Sequence, residues 1–294
     1  MRVVATMQYR NLLDDLAQQK ERMDIAQRQI STGLRVFGLK EDPLAAGEIS
    51  NLEAQEALVD RFIHTADNAV AKLNYTDAVF SQLLNIVTSA MTTGAAALNL
   101  NTDPASRQAL ADRVAALREE VLANANAKHQ GSYIFSGTAT LTQPYPTSAS
   151  AYQGDPNAIY VRADETTVVQ TNIPGDQIFQ GTDPLNVFEY FTDLQADILA
   201  NDTVGINQNI QALQGVFDRM NALHTVVGNA TSQVNMIKER LGSGKLENQT
   251  LQSKLGSANL AEAITDMTLA QTGLEATLQS GAQIARLSLI DFLS

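Results

Sequence analysis

From Ile49 to Met91 the chain returns to one stripe alternately three and four residues along: Ile49, Leu52, Glu56, Val59, Ile63, Ala66, Val70, Leu73, Asp77, Phe80, Leu84, Val87 and Met91. Only Glu56 and Asp77 interrupt its apolar character. This is the heptad period of a coiled-coil seam. A helix carrying it from Leu44 to Leu98 would measure roughly 80 Å at 1.5 Å per residue. No compact globule buries a rod of that length, so the chain must fold as long helices meeting along narrow stripes. Aromatic residues make up only 5% of the chain and Trp is absent, which suits narrow seams better than one large core.

The same period recurs elsewhere. Near the start, Tyr9, Leu12, Leu16, Gln19, Met23, Ala26 and Ile30 form a seam that Gly33 and Gly38 then break. Asp42-Pro43, Asp103-Pro104 and Asp183-Pro184 each read as a helix start, with Asp as N-cap and Pro in a first turn that needs no N–H from it. Leu110, Val114, Leu117 and Val121 continue the pattern toward an expected end near Gly131. Ile206, Ile210, Leu213, Phe217, Met220, His224, Val227, Val234 and Leu241 make another long seam, with Gly205 as a joint and Gly242-Ser243-Gly244 as a loosened stretch. Leu260, Ile264, Met267, Gln271, Leu274 and Leu278, then Ile284, Leu287 and Ile290, form the last one.

Between them the character changes. Five of the seven prolines fall between Pro144 and Pro184, and Tyr133, Phe135, Tyr145, Tyr152 and Tyr160 gather here. Ile159-Tyr160-Val161 and Thr166-Thr167-Val168-Val169 are short β-branched runs separated by turn residues, which reads as hairpins. With 294 residues, more than one domain is expected. The expected fold is mainly α with a small β-rich insert, a long antiparallel helical bundle or coiled coil made by the N- and C-terminal halves. The expected division is 1–35 with 255–294 as a terminal coiled-coil domain, 36–131 with 184–254 as a long-helix rod, and 132–183 as the insert.

Register follows from pairing. With Ile30 opposite Leu260 in an antiparallel pair, Gln19 and Gln271 lie in one layer, where two polar residues can fix register. Each terminal stripe needs a partner in water. The candidate interface is therefore Leu12, Leu16, Met23 and Ile30 from the first helix with Leu260, Ile264, Met267, Leu274, Leu278, Ile284 and Leu287 from the last. Periodicity alone leaves two readings open: an ordinary intramolecular pair, or a surface that also packs on neighbouring copies.

The chemistry expected is sparse. Twenty basic and 32 acidic residues give a net charge of −12, which disfavours nucleic acid and anionic membranes. Cys is absent, excluding disulfides and thiolate sites. His64, His129 and His224 are far apart, no two of them at metal-ligand spacing, and read as packed or partly exposed. Gly242-Ser-Gly-Lys245 lacks the remaining residues of a phosphate loop, since Glu239 and Leu246 stand where Gly and Ser/Thr are required. Asp14-Asp15, Glu119-Glu120 and Asp164-Glu165 are adjacent pairs that do not face each other on a helix. No catalytic constellation, cofactor or metal is expected, so the chain is read as a non-enzyme. The start has no apolar signal-peptide core and no small-residue cleavage site, and no run spans a bilayer.

Gln29-Ile-Ser-Thr-Gly-Leu-Arg-Val36 followed by Glu41-Asp-Pro-Leu-Ala-Ala46 resembles the N-terminal signature of the flagellin superfamily. The start Met1-Arg-Val-Val-Ala-Thr-Met-Gln-Tyr9, the run Gly131-Ser-Tyr-Ile-Phe-Ser-Gly-Thr138 and the ending Ile284-Ala-Arg-Leu-Ser-Leu-Ile-Asp-Phe-Leu293 resemble its hook-filament junction branch. The resemblance implies a structural subunit that leaves the cell unfolded by type III export, without a cleaved signal peptide, and becomes part of the extracellular flagellum. It implies self-assembly into a ring, the first junction protein on the hook side and flagellin on the other as partners, and an export chaperone on the C-terminal helix. A filament subunit is the nearest alternative, and a secreted coiled-coil adhesin or effector the alternative of another class.

Overall fold

The computed structural model describes residues 2–98 and 103–293, with side chains described from Met7 to Gln283 apart from Gln8 and residues 99–102. The element order is α1 (Arg2–Thr32), α2 (Pro43–Leu98), α3 (Pro104–Ala125), β1 (Lys128–His129), β2 (Ser132–Tyr133), β3 (Tyr160–Arg162), β4 (Val168–Gln170), α4 (Gly175–Phe179), α5 (Val187–Ala200), α6 (Thr203–Gly256) and α7 (Leu260–Leu293). The fold is mainly α, as the heptads require. It packs as two units, residues 1–58 with 244–294 and residues 59–243.

The capping logic holds at two of three Asp-Pro steps. Asp42 accepts from Ala45 N–H at 3.0 Å as α2 begins at Pro43, and Asp103 accepts from Ala105 N–H at 2.6 Å as α3 begins at Pro104. The third differs. Helix α5 starts not at Pro184 but at Val187, because Asn186 and Glu189 form a reciprocal capping box. Gly205 is not the joint: α5 ends at Asn201 in the left-handed conformation, and α6 then runs unbroken through Gly242-Ser243-Gly244. The continuous i→i−4 hydrogen-bond ladder on both sides outweighs the roughly 1 kcal/mol that each glycine costs.

In the larger unit the buried stripe of α2 is Ala66, Ala69, Leu73, Thr76, Phe80, Leu83, Val87 and Ala90. Ala66, Leu73, Phe80 and Val87 belong to the expected seam. Its other members, Ile63, Val70, Leu84 and Met91, stand half-buried one position to the side. Helix α6 repeats the shift: Leu213, Val216, Met220 and Val227 are buried while Ile210, Phe217 and His224 are only partly so. The contact face is therefore rotated slightly from the expected stripe, and large residues such as Leu73, Phe80 and Met220 share it with Ala66 and Ala69. The polar interruption at Asp77 is answered across the packing by His224, whose Nε2 lies 2.7 Å from its carboxylate while Phe80 stacks on the imidazole.

Helix α3 ends at Ala125, earlier than Gly131, because 128–133 turns back as the hairpin β1–β2. The expected runs at 159–161 and 166–169 do pair, as β3–β4 with Val161 opposite Val169. Most of the insert is otherwise irregular, held by an aromatic cluster in which Phe135, Tyr145, Phe179 and Phe188 meet at centroid distances of 5.1–5.9 Å. These rings pack with Phe80 and the helices into one core. Burial raises the Tyr152 hydroxyl to about 12, and its hydroxyl donates toward the carbonyls of Phe135 and Asp155 at 2.8 and 3.0 Å. Asp155 accepts first from the Thr138 hydroxyl and then from Asn157 N–H, which hold its carboxyl down at about 2.

Candidate assembly surface

In the smaller unit α1 and α7 form a close antiparallel pair. Gly33, at φ +72°, ends α1, and Arg35 N–H donates to Gly256 carbonyl at 2.6 Å while Ala258 N–H donates to Gly33 carbonyl at 2.8 Å. This two-stranded clasp fixes where the pairing starts. Nearby, Arg35 bridges Asp42 at 3.1 Å and donates to Leu255 carbonyl at 2.9 Å, tying the signature residues 29–46 to the end of α6. Glu56, the other interruption of the long seam, receives Gln249 at 2.6 Å and Lys245 at 3.4 Å from α6.

The register differs from expectation by two residues. Gln19 faces Gly273, where an added Cβ would stand 3.0 Å from its amide oxygen, and Gln271 is exposed. Leu12 likewise lies over Gly281, where an added Cβ would come within 2.7 Å of its methyl carbon. A long side chain over a glycine, not two glutamines side by side, sets this layer. The glycines were legible as letters but not as sockets.

Among the expected interface residues, Leu12, Leu16, Met23 and Ile30 are half-buried on α1, and so are Met267 and Leu274 on α7. The deepest α7 residues are Ala263 and Ala270, at 2% and 3% exposure. Leu260, Ile264 and Leu278 remain 49%, 55% and 54% exposed. Ile264, Gln271 and Leu278 share one heptad position beside the seam, so α7 carries an intramolecular stripe and an apolar flank turned to water. The side chains of Ile284 and Leu287 lie outside the described residues. Met7, Tyr9 and Leu13 add exposed apolar area on α1. A groove of about 590 Å³ opens on the pair, walled by Arg22, Ile25, Asp266 and Leu269 and floored by Ala26, Ala270 and Gly273.

Among the described residues no cluster of His or carboxylates is placed to hold a metal ion, and no helix is long and apolar enough to cross a membrane. His64 is exposed, and His129 packs beside Tyr75 at 5.3 Å.

The family described as "Bacterial flagellin N-terminal helical region" matches residues 3–140. Flagellar hook-associated protein 3 of Escherichia coli K12 is 26% identical, with 89% of this chain and 90% of that protein covered. The protein of the same description from Salmonella typhimurium LT2 is 23% identical, with 98% of each covered. Among solved structures, flagellar hook-associated protein 3 of Legionella pneumophila superposes at a TM-score of 0.63 over 70% of this chain and 98% of its own, at 14% identity, a likeness of fold.

Proposed function

We infer that this chain, a member of the flagellin superfamily of the hook-associated protein 3 type, is a structural component of the bacterial flagellum at the junction between hook and filament. The observation that carries this reading is near-full-length similarity to two such proteins joined to an α1–α7 pair that leaves an apolar flank in water. Monomeric proteins seldom leave such a stripe uncovered.

We further propose that Leu260, Ile264 and Leu278 pack against neighbouring copies, and that Ile284 and Leu287 extend this surface. Head-to-tail packing of identical subunits generates open tubes, and a dissimilar neighbour on each side limits this one to a ring. The neighbours proposed are the first junction protein toward the hook and flagellin beyond. The apolar flank of α7 is also a suitable groove ligand for an export chaperone before assembly. The proposed route is type III export to an extracellular position without a cleaved signal peptide, and the role is structural, not catalytic. In assembly terms, 1–35 with 255–294, 36–131 with 184–254, and 132–183 are proposed as successive layers from the axis outward.

Deleting the gene tests this reading. The expected phenotype is hooks without filaments, with flagellin lost to the medium and both restored by the intact gene. Full-length filaments on the deletion strain would overturn it.

A further inference from the structure

In the larger unit a cleft of about 340 Å³ opens between α2, the β1–β2 hairpin and the β3–β4 hairpin. That is near the lower end of ligand-pocket volumes, room for a single small ring. Lys72 lines it, half-buried. No carboxylate pairs with this ammonium among the described residues, whereas Lys238 and Lys245 each have one. In a chain of net charge −12, leaving a desolvated cation without a counter-ion is unfavourable, and burial lowers its proton affinity. A long lysine stem would ordinarily carry the charge out to water.

A second feature lies on the same wall. Gln130 sits at φ +49° beside Gly131 at φ +81°, the central pair of the two-residue β1–β2 turn. Asn, Asp or Gly suits such a position, and a longer side chain costs roughly 1–2 kcal/mol there. Gln130 lines the cleft with Lys72. Strain held where a cation also lacks a partner is a mark of a binding site. Asn68 and Thr140 add an amide and a hydroxyl, and Ile159 and Val161 form an apolar wall.

We propose that this cleft binds a monosaccharide-sized carboxylic acid, its carboxylate on Lys72, its hydroxyls on Asn68, Gln130 and Thr140, and its C–H face on Ile159 and Val161. One ammonium matches a singly charged carboxylate better than a phosphate dianion, for which a fork of arginine donors is the usual recognition. The apolar wall and the ring of amides and hydroxyls match a sugar ring, not a bare anion. This site belongs to the larger unit alone and does not depend on the junction assignment.

The test is titration of the full-length chain with glucuronate, glucose and acetate, read by saturation-transfer NMR and calorimetry. Glucuronate is expected to bind saturably, with glucose and acetate each at least tenfold weaker. Lys72→Met, which keeps the stem and removes the charge, is expected to lose at least tenfold in glucuronate affinity with a melting temperature no lower than the parent's. Gln130→Asn is expected to weaken glucuronate binding while melting higher, because Asn fits the turn; this variant decides the matter should Lys72→Met fail to fold. The absence of saturable glucuronate binding, equal binding of glucose or acetate, or wild-type affinity in both variants would overturn the proposal.

Discussion

Leu278→Asp is expected to abolish incorporation into flagella while leaving the melting of the monomer within about 0.5 kcal/mol of the parent, as for other exposed substitutions. Leu278 is 54% exposed and lies on the flank of α7, beside the stripe that meets α1. A carboxylate there meets water in the monomer and an apolar neighbour in the assembly, where desolvation makes it intolerable. Leu274→Asp is the informative contrast. Leu274 is half-buried in the α1–α7 seam, so a charge there should loosen the monomer's helix pair as well as block assembly. Incorporation scored on purified flagella, with thermal melting and secreted protein in the medium as controls, separates the two. Normal junctions built from Leu278→Asp would remove this flank from the assembly surface.

A second large effect is expected at Gly137. Its φ is +66°, and an added Cβ would stand 2.0 Å from the Asp155 carbonyl oxygen. That oxygen belongs to backbone and cannot swing aside. Gly137→Ala should destabilise the larger unit by at least about 3 kcal/mol, at the upper end for single substitutions. At roughly 2–4 °C per kcal/mol for a unit of this size, its melting temperature should fall by about 6–12 °C. Gly131→Ala is the control: φ is +81°, but nothing lies within 4 Å of an added Cβ. It should cost only the backbone strain, about 1 kcal/mol. Equal losses at both positions would show that the contact with Asp155 contributes nothing. This pair also gives physical content to the Gly131–Thr138 run: its two glycines make a hairpin turn and a close backbone crossing.

Helices were legible because period 3.6 and Asp caps are local signals. Asp42 and Asp103 are found where the Asp-Pro steps put them. What the sequence hid was which side of each stripe lies deepest. Reading for large apolar residues selected Ile63, Val70 and Leu84 over Ala69, Thr76 and Leu83, and Leu260 and Ile264 over Ala263 and Ala270. On α7 the packed structure puts the alanines at the contact, where helices approach closely, and on α2 it rotates the contact by one position onto a face that also holds Leu73, Phe80 and Leu83. Alanine carries little weight in a hydrophobic pattern, so the signal was present but faint. The same cause displaced the register, since Gly273 and Gly281 act as sockets for Gln19 and Leu12.

Polar breaks tell a complementary story. Glu56, Asp77 and His224 each interrupted a seam when read along the chain. In three dimensions Asp77 meets His224, and Glu56 meets Gln249 and Lys245. A single sequence shows an interruption but not its partner more than a hundred residues away. Irregular structure in the insert was likewise beyond periodicity, since Tyr145, Phe179 and Phe188 are placed by ring contacts, not by strand pairing.

The most direct measurement is the position of the epitope-labelled full-length chain on purified flagella by immunogold electron microscopy. Label is expected in one narrow band where the filament meets the hook, with none along the filament. Label distributed along the filament, or absent from flagella altogether, would contradict it.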